Sequence, residues 1–297
     1  MKTNSKNPLI SVAIITWNRQ KHVLKSIESA LKQSYRPIEI VVVDSASSDG
    51  TSEAIEQVFP EVRLVRLHRN LGCPEGRNIA MANCTGEIIF SIDDDAWFDS
   101  STLKLCVECF KKKDGIGVVN CQVLVPKQNK NATQNNKEHY TYQFNGGACA
   151  IKKEVLNKVG YFPADFYRQG EENDLALKIL DAGFSILHYP PAIVYHERVS
   201  INRNNKLFMF YGCRNELYTV IRRYPLFFVP AMVSWKAISW NWLGIKNFAF
   251  HFTLGACFAT AIKFPKLLLQ REAVSLKTIK RVIKLRRNRS VELSIQK

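Results

Sequence analysis

The first third of the chain alternates short, wholly apolar runs with stretches of helical periodicity. Residues 9–16 form one such run and predict a buried strand. Residues 22–33 then place Val23, Leu24, Ile27, Ala30 and Leu31 on one helical face. A second strand is predicted over 38–43, ending at Asp44. The polar stretch 45–51 is read as a loop that opens a helix through Phe59. Residues 62–65 predict a third strand, 76–83 a helix after a Gly/Pro-containing loop, and 87–92 a fourth strand. Beyond Trp97 the pattern predicts a helix over 102–112 and a strand over 117–125, then a polar surface loop over 126–140. Residues 144–151, with the Gly146-Gly147 pair, lead to a short helix. A helix with a glycine C-cap is predicted over 170–183, and two short strands, 186–189 and 192–195, around Pro190-Pro191.

Strands that are apolar throughout and separated by helices imply a mostly parallel sheet flanked by helices on both faces, an α/β, Rossmann-like arrangement. Ligands in such sheets sit beyond the carboxyl ends of the strands. The polar residues fall there: Thr16-Trp17-Asn18-Arg19 after the first strand, Asp44 after the second, and Asp93-Asp94-Asp95 after the fourth. Three adjacent carboxylates repel one another unless a cation sits among them. In an extended stretch Asp93 and Asp95 point one way and Asp94 the other. One face then offers a hard oxygen site suited to Mn²⁺ or Mg²⁺, with phosphate oxygens completing the shell. A solvated acidic turn or a helix N-terminus is the other reading of the same residues.

The ordered set of segments resembles a known family. Ser11-Val12-Ala13-Ile14-Ile15-Thr16-Trp17-Asn18-Arg19 and Val41-Val42-Val43-Asp44-Ser45-Ala46-Ser47-Ser48-Asp49-Gly50-Thr51 are similar to the opening of the family 2 glycosyltransferases of GT-A fold. Asn70-Leu71-Gly72, Gly76-Arg77-Asn78, the aspartate triplet and residues 170–175 follow in the family's order. The resemblance covers roughly residues 8–215. It implies a catalytic domain over 1–205 of GT-A type, followed by a C-terminal helical extension over 206–297.

By that resemblance Thr16, Trp17, Asn18 and Arg19 line the nucleotide pocket with Ser45 in the same site, Asp44 contacts the base or ribose, and Arg77 lies near the base or diphosphate. Asn70, Gly72 and Asp94 belong to the same nucleotide-sugar site, and Asp93 and Asp95 bind a metal bridging the two phosphates. His196 resembles a histidine found near the metal in related enzymes; a lone histidine is also an ordinary hydrogen-bonded core residue. Gly146 and Gly147 permit close approach of backbone to a ligand, in a region that in the family borders donor sugar and acceptor. Trp97 is read either as a sugar-stacking ring or as a buried aromatic.

Sugar transfer needs a stabilised leaving diphosphate, which a metal supplies as a Lewis acid, and a base for the acceptor hydroxyl. The helix starting near residue 170 supplies Glu171, Glu172 and Asp174. Glu172 heads the stripe Leu175, Ala176, Ile179, which faces the core and the edge of the cleft. Asp174, four residues before Lys178, suits an i,i+4 ion pair. Family members usually show Glu-Asp where this chain has Glu171-Glu172, which gives Glu172 the base position with one extra methylene of reach.

Charge changes the picture most at the end of the chain. Residues 1–197 hold 23 basic and 23 acidic side chains, whereas 198–297 hold 19 and 3, the whole net charge of +16. Residues 207–265 also carry three of the five tryptophans and nine of the seventeen phenylalanines. The longest uncharged run there, 247–262, is 16 residues, short of the roughly 20 that a spanning helix needs. Aromatic helices with lysines at intervals suit a membrane interface, and the basic run 277–289, with Ile279, Val282, Ile283 and Leu285 interleaved, suits anionic headgroups. Packing of these helices on the catalytic domain is the alternative. A nucleic-acid partner is not expected, since no binding motif is present.

Eight cysteines lack the paired spacing of a zinc site, and no secretory segment is read at the start, so reduced thiols and a cytoplasmic place at the inner face of the membrane are expected. For that reason Asn131-Ala132-Thr133 counts as an incidental sequon. The family's chemistry is inverting transfer from a UDP-, dTDP- or GDP-sugar to a glycan or lipid-linked acceptor, in cell-surface polysaccharide biosynthesis. A nucleotidyltransferase would show a glycine-rich basic loop after the first strand, where this chain has Thr16-Trp17-Asn18-Arg19. A non-catalytic membrane or nucleic-acid module would not need Asp93, Asp95 and Glu172.

Overall fold

The computed structural model describes residues 7–126, 137–197 and 205–295. The sequon at 131–133 and most of the polar loop lie outside the described residues. Among the described residues the chain builds one nine-stranded sheet with helices on both faces, then four C-terminal helices. Strands β1 (Ile10–Thr16), β2 (Ile38–Asp44), β3 (Arg63–Arg66) and β4 (Ile88–Asp93) are parallel, in the order β3-β2-β1-β4. β1 is buried on both faces, which is why its sequence shows no polar alternation. Ile10, Val12 and Ile14 pack under helices α1 (Gln20–Leu31) and α4 (Thr102–Lys112). Ala13 packs on the opposite face with α3 (Cys73–Ala82) and α6 (Glu171–Asp181). Cys106 and Cys109 are buried together on the inner face of α4. Helices α2 (Thr51–Val58) and α5 (Lys153–Val159) complete the two layers.

The second half of the sheet is mixed. β8 (Ala148–Lys152) inserts antiparallel between β4 and β6 (Ile116–Leu124). β9 (Ser185–His196) runs parallel to β6, and β5 (Ala96–Phe98) and β7 (His139–Thr141) each pair antiparallel with β9. The two short strands expected around Pro190-Pro191 are a single twelve-residue strand. Its register against β6 jumps between Cys121 and Gln122, so the irregularity takes up the prolines without breaking the strand.

Helix α7 (Asn205–Arg223) lies against the sheet domain, with α8 (Val229–Lys246) and α9 (Phe250–Leu269) packed on it. α10 (Leu276–Ile295) returns to the sheet domain, where Ile279, Val282 and Leu285 join clusters with α6 residues. The apolar residues of the basic run 277–289 are therefore largely used inside the protein, and only Ile283 of the four is exposed. α9 is also longer than its uncharged stretch, because Lys263, Pro265 and Lys266 continue the helix. By length and composition it is long and apolar enough to cross a membrane, while Thr253, Ala256, Thr260 and Leu267 bury one side of it.

Candidate functional site

Register explains why the separated motifs meet. Thr16 pairs with Asp44 across β1 and β2, and Ile15 with Asp93 across β1 and β4, so these strand ends stand level. Asp94 and Asp95 form the turn between β4 and β5. β5 then pairs Ala96 with His196, bringing the histidine beside the triplet from a hundred residues away. His196 Nε2 lies 2.9 Å from Asp95 Oδ1 and 3.9 Å from Asp93 Oδ2. Asp93, Asp95 and His196 each present one ligand atom, and all three atoms lie within 4.8 Å of one another. Two carboxylates and an imidazole fit a divalent cation.

Two arginines flank this group. Arg19 Nη1 donates to Asp94 Oδ1 at 2.8 Å and lies 3.3 Å from Asp95 Oδ2, while Thr16 Oγ1 donates to Asp94 Oδ2 at 2.9 Å. Burial pushes the Asp94 carboxyl up to about 6, with Arg19 pulling it down and Asp95 adding to the rise. Burial works against the Arg19 charge, but Asp94 and Asp95 outweigh it and raise its pKa. On the other side Arg77 Nη2 reaches Asp93 Oδ1 at 2.6 Å, and its Nη1 lies 3.2 Å from Glu171 and 3.6 Å from Glu172. Arg77 is buried, yet Cys73, Asp93, Glu172 and Glu171 around it more than offset the loss of solvation and hold it firmly charged.

α3, which carries Arg77, starts at Gly72 with φ +87°. A side chain there would run into the backbone of Tyr167, whose carbonyl accepts from Cys73 N–H at 2.7 Å. Asn70 Oδ1 accepts from Gly72 N–H at 2.8 Å and shapes the turn before it. α6 starts after Gly170, also left-handed, and presents Glu171 and Glu172 to the cleft. Glu171 is only 3% exposed at its side chain against 25% for Glu172. Burial, then Glu172, pushes the Glu171 carboxyl well up, against the pull of Arg77. Of the two, Glu172 is the more open to the cleft.

A cleft of about 570 Å³ runs over these groups. It is lined by Thr16, Trp17, Arg19, Ser45, Asn70, Gly72, Arg77, Asp93, Asp94, Asp95, Glu171, Glu172 and His196 among the residues singled out in the sequence. Six others lie elsewhere. The Asp44 carboxylate accepts from Ser47 N–H at 3.0 Å and from the Ser52 hydroxyl, so it braces the loop after β2. Asn18, left-handed at φ 52°, accepts from Ser48 N–H at its Oδ1 and donates its own backbone N–H to Ser47 Oγ, tying the same loop to β1. Gly146 and Gly147 stand behind the charged groups: a Cβ at 147 would overlap the Asp93 carboxylate, and one at 146 would come within 2.7 Å of Arg77 and 2.8 Å of Glu172. These glycines make room for the side chains of Asp93, Arg77 and Glu172. Asp174 is fully buried and pairs with Arg223 Nε at 2.9 Å, in place of the expected Lys178, whose ammonium donates to Tyr161 O. Trp97 stacks on Tyr195 with the Lys25 ammonium over its ring, and does not line the cleft.

Sequence reasoning missed Asn145, Tyr167, Arg168, Gln169 and Phe208, which also line the cleft. Tyr167 and Gln169 hold positive φ of 58° and 68°, a backbone state that no local pattern in non-glycine residues signals.

The profile described as "Glycosyl transferase family 2" matches residues 11–171. A putative colanic acid biosynthesis glycosyl transferase, WcaA of Escherichia coli K12, is 37% identical over 94 residues, 30% of this chain and 33% of the relative. A GalNAc(5)-diNAcBac-PP-undecaprenol beta-1,3-glucosyltransferase of Campylobacter jejuni is 24% identical over 176 residues, 54% of this chain and 56% of the relative. The chain spans about half or less of the length of the curated relatives it matches. Among solved structures, a mannosyltransferase of Pyrobaculum calidifontis in complex with GDP-Man and Mn²⁺ superposes with a TM-score of 0.58 at 20% identity, over 94% of this chain and 80% of that one, which establishes the shared fold.

Proposed function

The chain belongs to glycosyl transferase family 2, and on that premise we propose that it transfers a sugar from a UDP-, dTDP- or GDP-sugar to a hydroxyl of a glycan or lipid-linked acceptor, with inversion. The observation that carries the reading is one cleft in which Asp93, Asp95 and His196 converge within 4.8 Å, between two arginines and beside the open carboxylate of Glu172. Relatives named for colanic acid and for an undecaprenol-linked acceptor support a place in cell-surface polysaccharide assembly, peripheral to the cytoplasmic face of a membrane.

In this reading Asp93, Asp95 and His196 would hold Mn²⁺ or Mg²⁺, which when bound would supply Lewis-acid stabilisation of a leaving diphosphate. Arg19 and Arg77 hold the neighbouring carboxylates in place and add positive potential over the diphosphate. Trp17 and Ser45 line the wall on the nucleotide side. Glu172 accepts the proton of the acceptor hydroxyl as that oxygen attacks the anomeric carbon, opposite the bond to the diphosphate, which breaks as the new bond forms. Glu171 fixes Arg77. Asp174 has no place in the chemistry and holds α7.

A panel of nucleotide sugars with Mn²⁺, read by nucleotide release, tests the proposal. Asp95→Ala should abolish metal-dependent nucleotide binding. Glu172→Gln should bind donor as before and lose transfer by about 100-fold or more. Full activity in the Glu172→Gln variant would place the base elsewhere.

A further inference from the structure

The α8–α9 hairpin leaves an unusual amount of apolar surface uncovered. Outward-facing positions include Trp235, Ile238, Trp242 and Ile245 on α8 and Phe258 and Ile262 on α9, each more than half exposed. Their steps of three and four residues draw one stripe along each helix. At the tip Phe248 is 90% exposed. Scattered apolar side chains are ordinary on a surface, but a contiguous set of this kind marks an interaction face.

Charge identifies the occupant. No Asp or Glu occurs between Glu216 and Glu272, while Lys236, Lys246, Lys263 and Lys266 punctuate the two helices. Lys236 is spent on Glu216, and Lys246, Lys263 and Lys266 are exposed. The Lys246 ammonium lies 5.2 Å from the Trp242 ring centroid. An apolar face with tryptophans and lysines at its margin, and no acidic group, complements a bilayer bearing anionic headgroups.

The packing also gives the face a direction. Both Lys236 and Trp240 of α8 bond to Glu216 of α7, and the Trp240 ring crowds Gly212, so α8 runs back along α7. One further turn on each helix, about 6 Å, brings the end of α8 level with Phe208, which lines the cleft. Phe210 packs against Gly255 near the start of α9. The hairpin tip and the cleft therefore lie at the same end of α7.

We propose that the α8–α9 hairpin inserts its tip, from Ile245 through Phe250, into the leaflet of an anionic membrane, and that this sets the mouth of the cleft at the lipid surface, where a lipid-carried acceptor is presented. The proposal deepens the glycosyltransferase reading and rests on it for the acceptor. The membrane contact belongs to the hairpin; the basic α10 adds charge, since most of its apolar residues pack inward.

The test uses the full chain with vesicles of phosphatidylcholine, with and without phosphatidylglycerol. Wild type should float with the anionic vesicles, and Trp242 fluorescence, in a variant keeping it as the single tryptophan, should be quenched by bromine-labelled acyl chains. The double variant Ile245→Asp, Phe248→Asp should lose partitioning by about tenfold or more, with unchanged circular dichroism and unchanged Mn²⁺-dependent binding of UDP, dTDP or GDP. Wild type that binds a nucleotide with Mn²⁺ but ignores both vesicle types sinks the membrane proposal and leaves the function standing. Vesicle binding without any nucleotide binding sinks the function and leaves the hairpin. A wild-type dimer in vesicle-free buffer that the double variant converts to monomer shows that the face covers a second copy instead.

Discussion

At Gly147 an added methyl group would overlap the carboxylate of Asp93, while the backbone there is not left-handed, so crowding alone requires the glycine. Gly147→Ala should displace Asp93 from Asp95 and His196, with little strain elsewhere, because Asp93 sits at the cleft edge and not in a core. Groups that position metal ligands typically change metal affinity by 10–100-fold when altered, and a loss of about that size is expected here. A Mn²⁺ titration of nucleotide binding in Gly147→Ala measures it, with thermal unfolding as the control. Binding at wild-type Mn²⁺ concentrations would show that Asp93 is not a ligand. The same crowding applies at Gly146, where Arg77 and Glu172 are the neighbours, so both glycines serve the charges of the cleft through the space they leave.

Helix α7 reaches into the cleft through one buried amide. Asn215 Nδ2 donates to the carbonyls of Phe166, Arg168 and Gln169 at 3.1, 2.7 and 2.6 Å, and its Oδ1 accepts from Arg214. The chain it holds turns through positive φ at Tyr167, Gln169 and Gly170 and then enters α6 at Glu171. Asn215 is thus a positioning residue for Glu172. Asn215→Asp keeps the shape but sets a carboxylate against three carbonyls, and should cost about 1–3 kcal/mol of stability. It should also lower kcat more than it raises the KM for donor. Equal stability loss with kcat unchanged would make the amide merely structural. None of this was legible in the sequence, because Asn215 meets its partners almost fifty residues away and the loop's conformation has no residue signature. The strand ends were legible, since each polar motif directly follows an apolar run, and parallel register does the rest. His196 was legible only through family resemblance, as its place depends on β5 pairing with β9. Trp97 was open to two readings because an aromatic beside an acidic triplet suits either a sugar or a cation, and here Lys25 takes the ring.

Across the whole molecule, the basic C-terminal extension is built into the fold by its arginines. Arg222 pairs with Asp165 at 3.0 and 2.7 Å, Arg271 caps the end of α7, and Arg281 bonds Leu180 O and Ser185. The deepest of these links is Arg223 with Asp174, whose side chains are 9% and 0% exposed. Arg223 also meets Glu272, but that carboxylate is mostly in solvent and adds little. Removing one member of a buried pair leaves the other charge without compensation, at about 3–5 kcal/mol, whereas replacing both by apolar residues of similar size is often nearly neutral. Arg223→Met should therefore lower the free energy of unfolding by about that amount, and Asp174→Leu in the same chain should restore most of it. Urea unfolding of the wild type, the single and the double variant measures the coupling. The double variant should retain donor hydrolysis, because Asp174 does not line the cleft. If it is stable and inactive, Asp174 shapes the position of Glu172 through α6, and the C-terminal helices are part of the catalytic machine as well as its support.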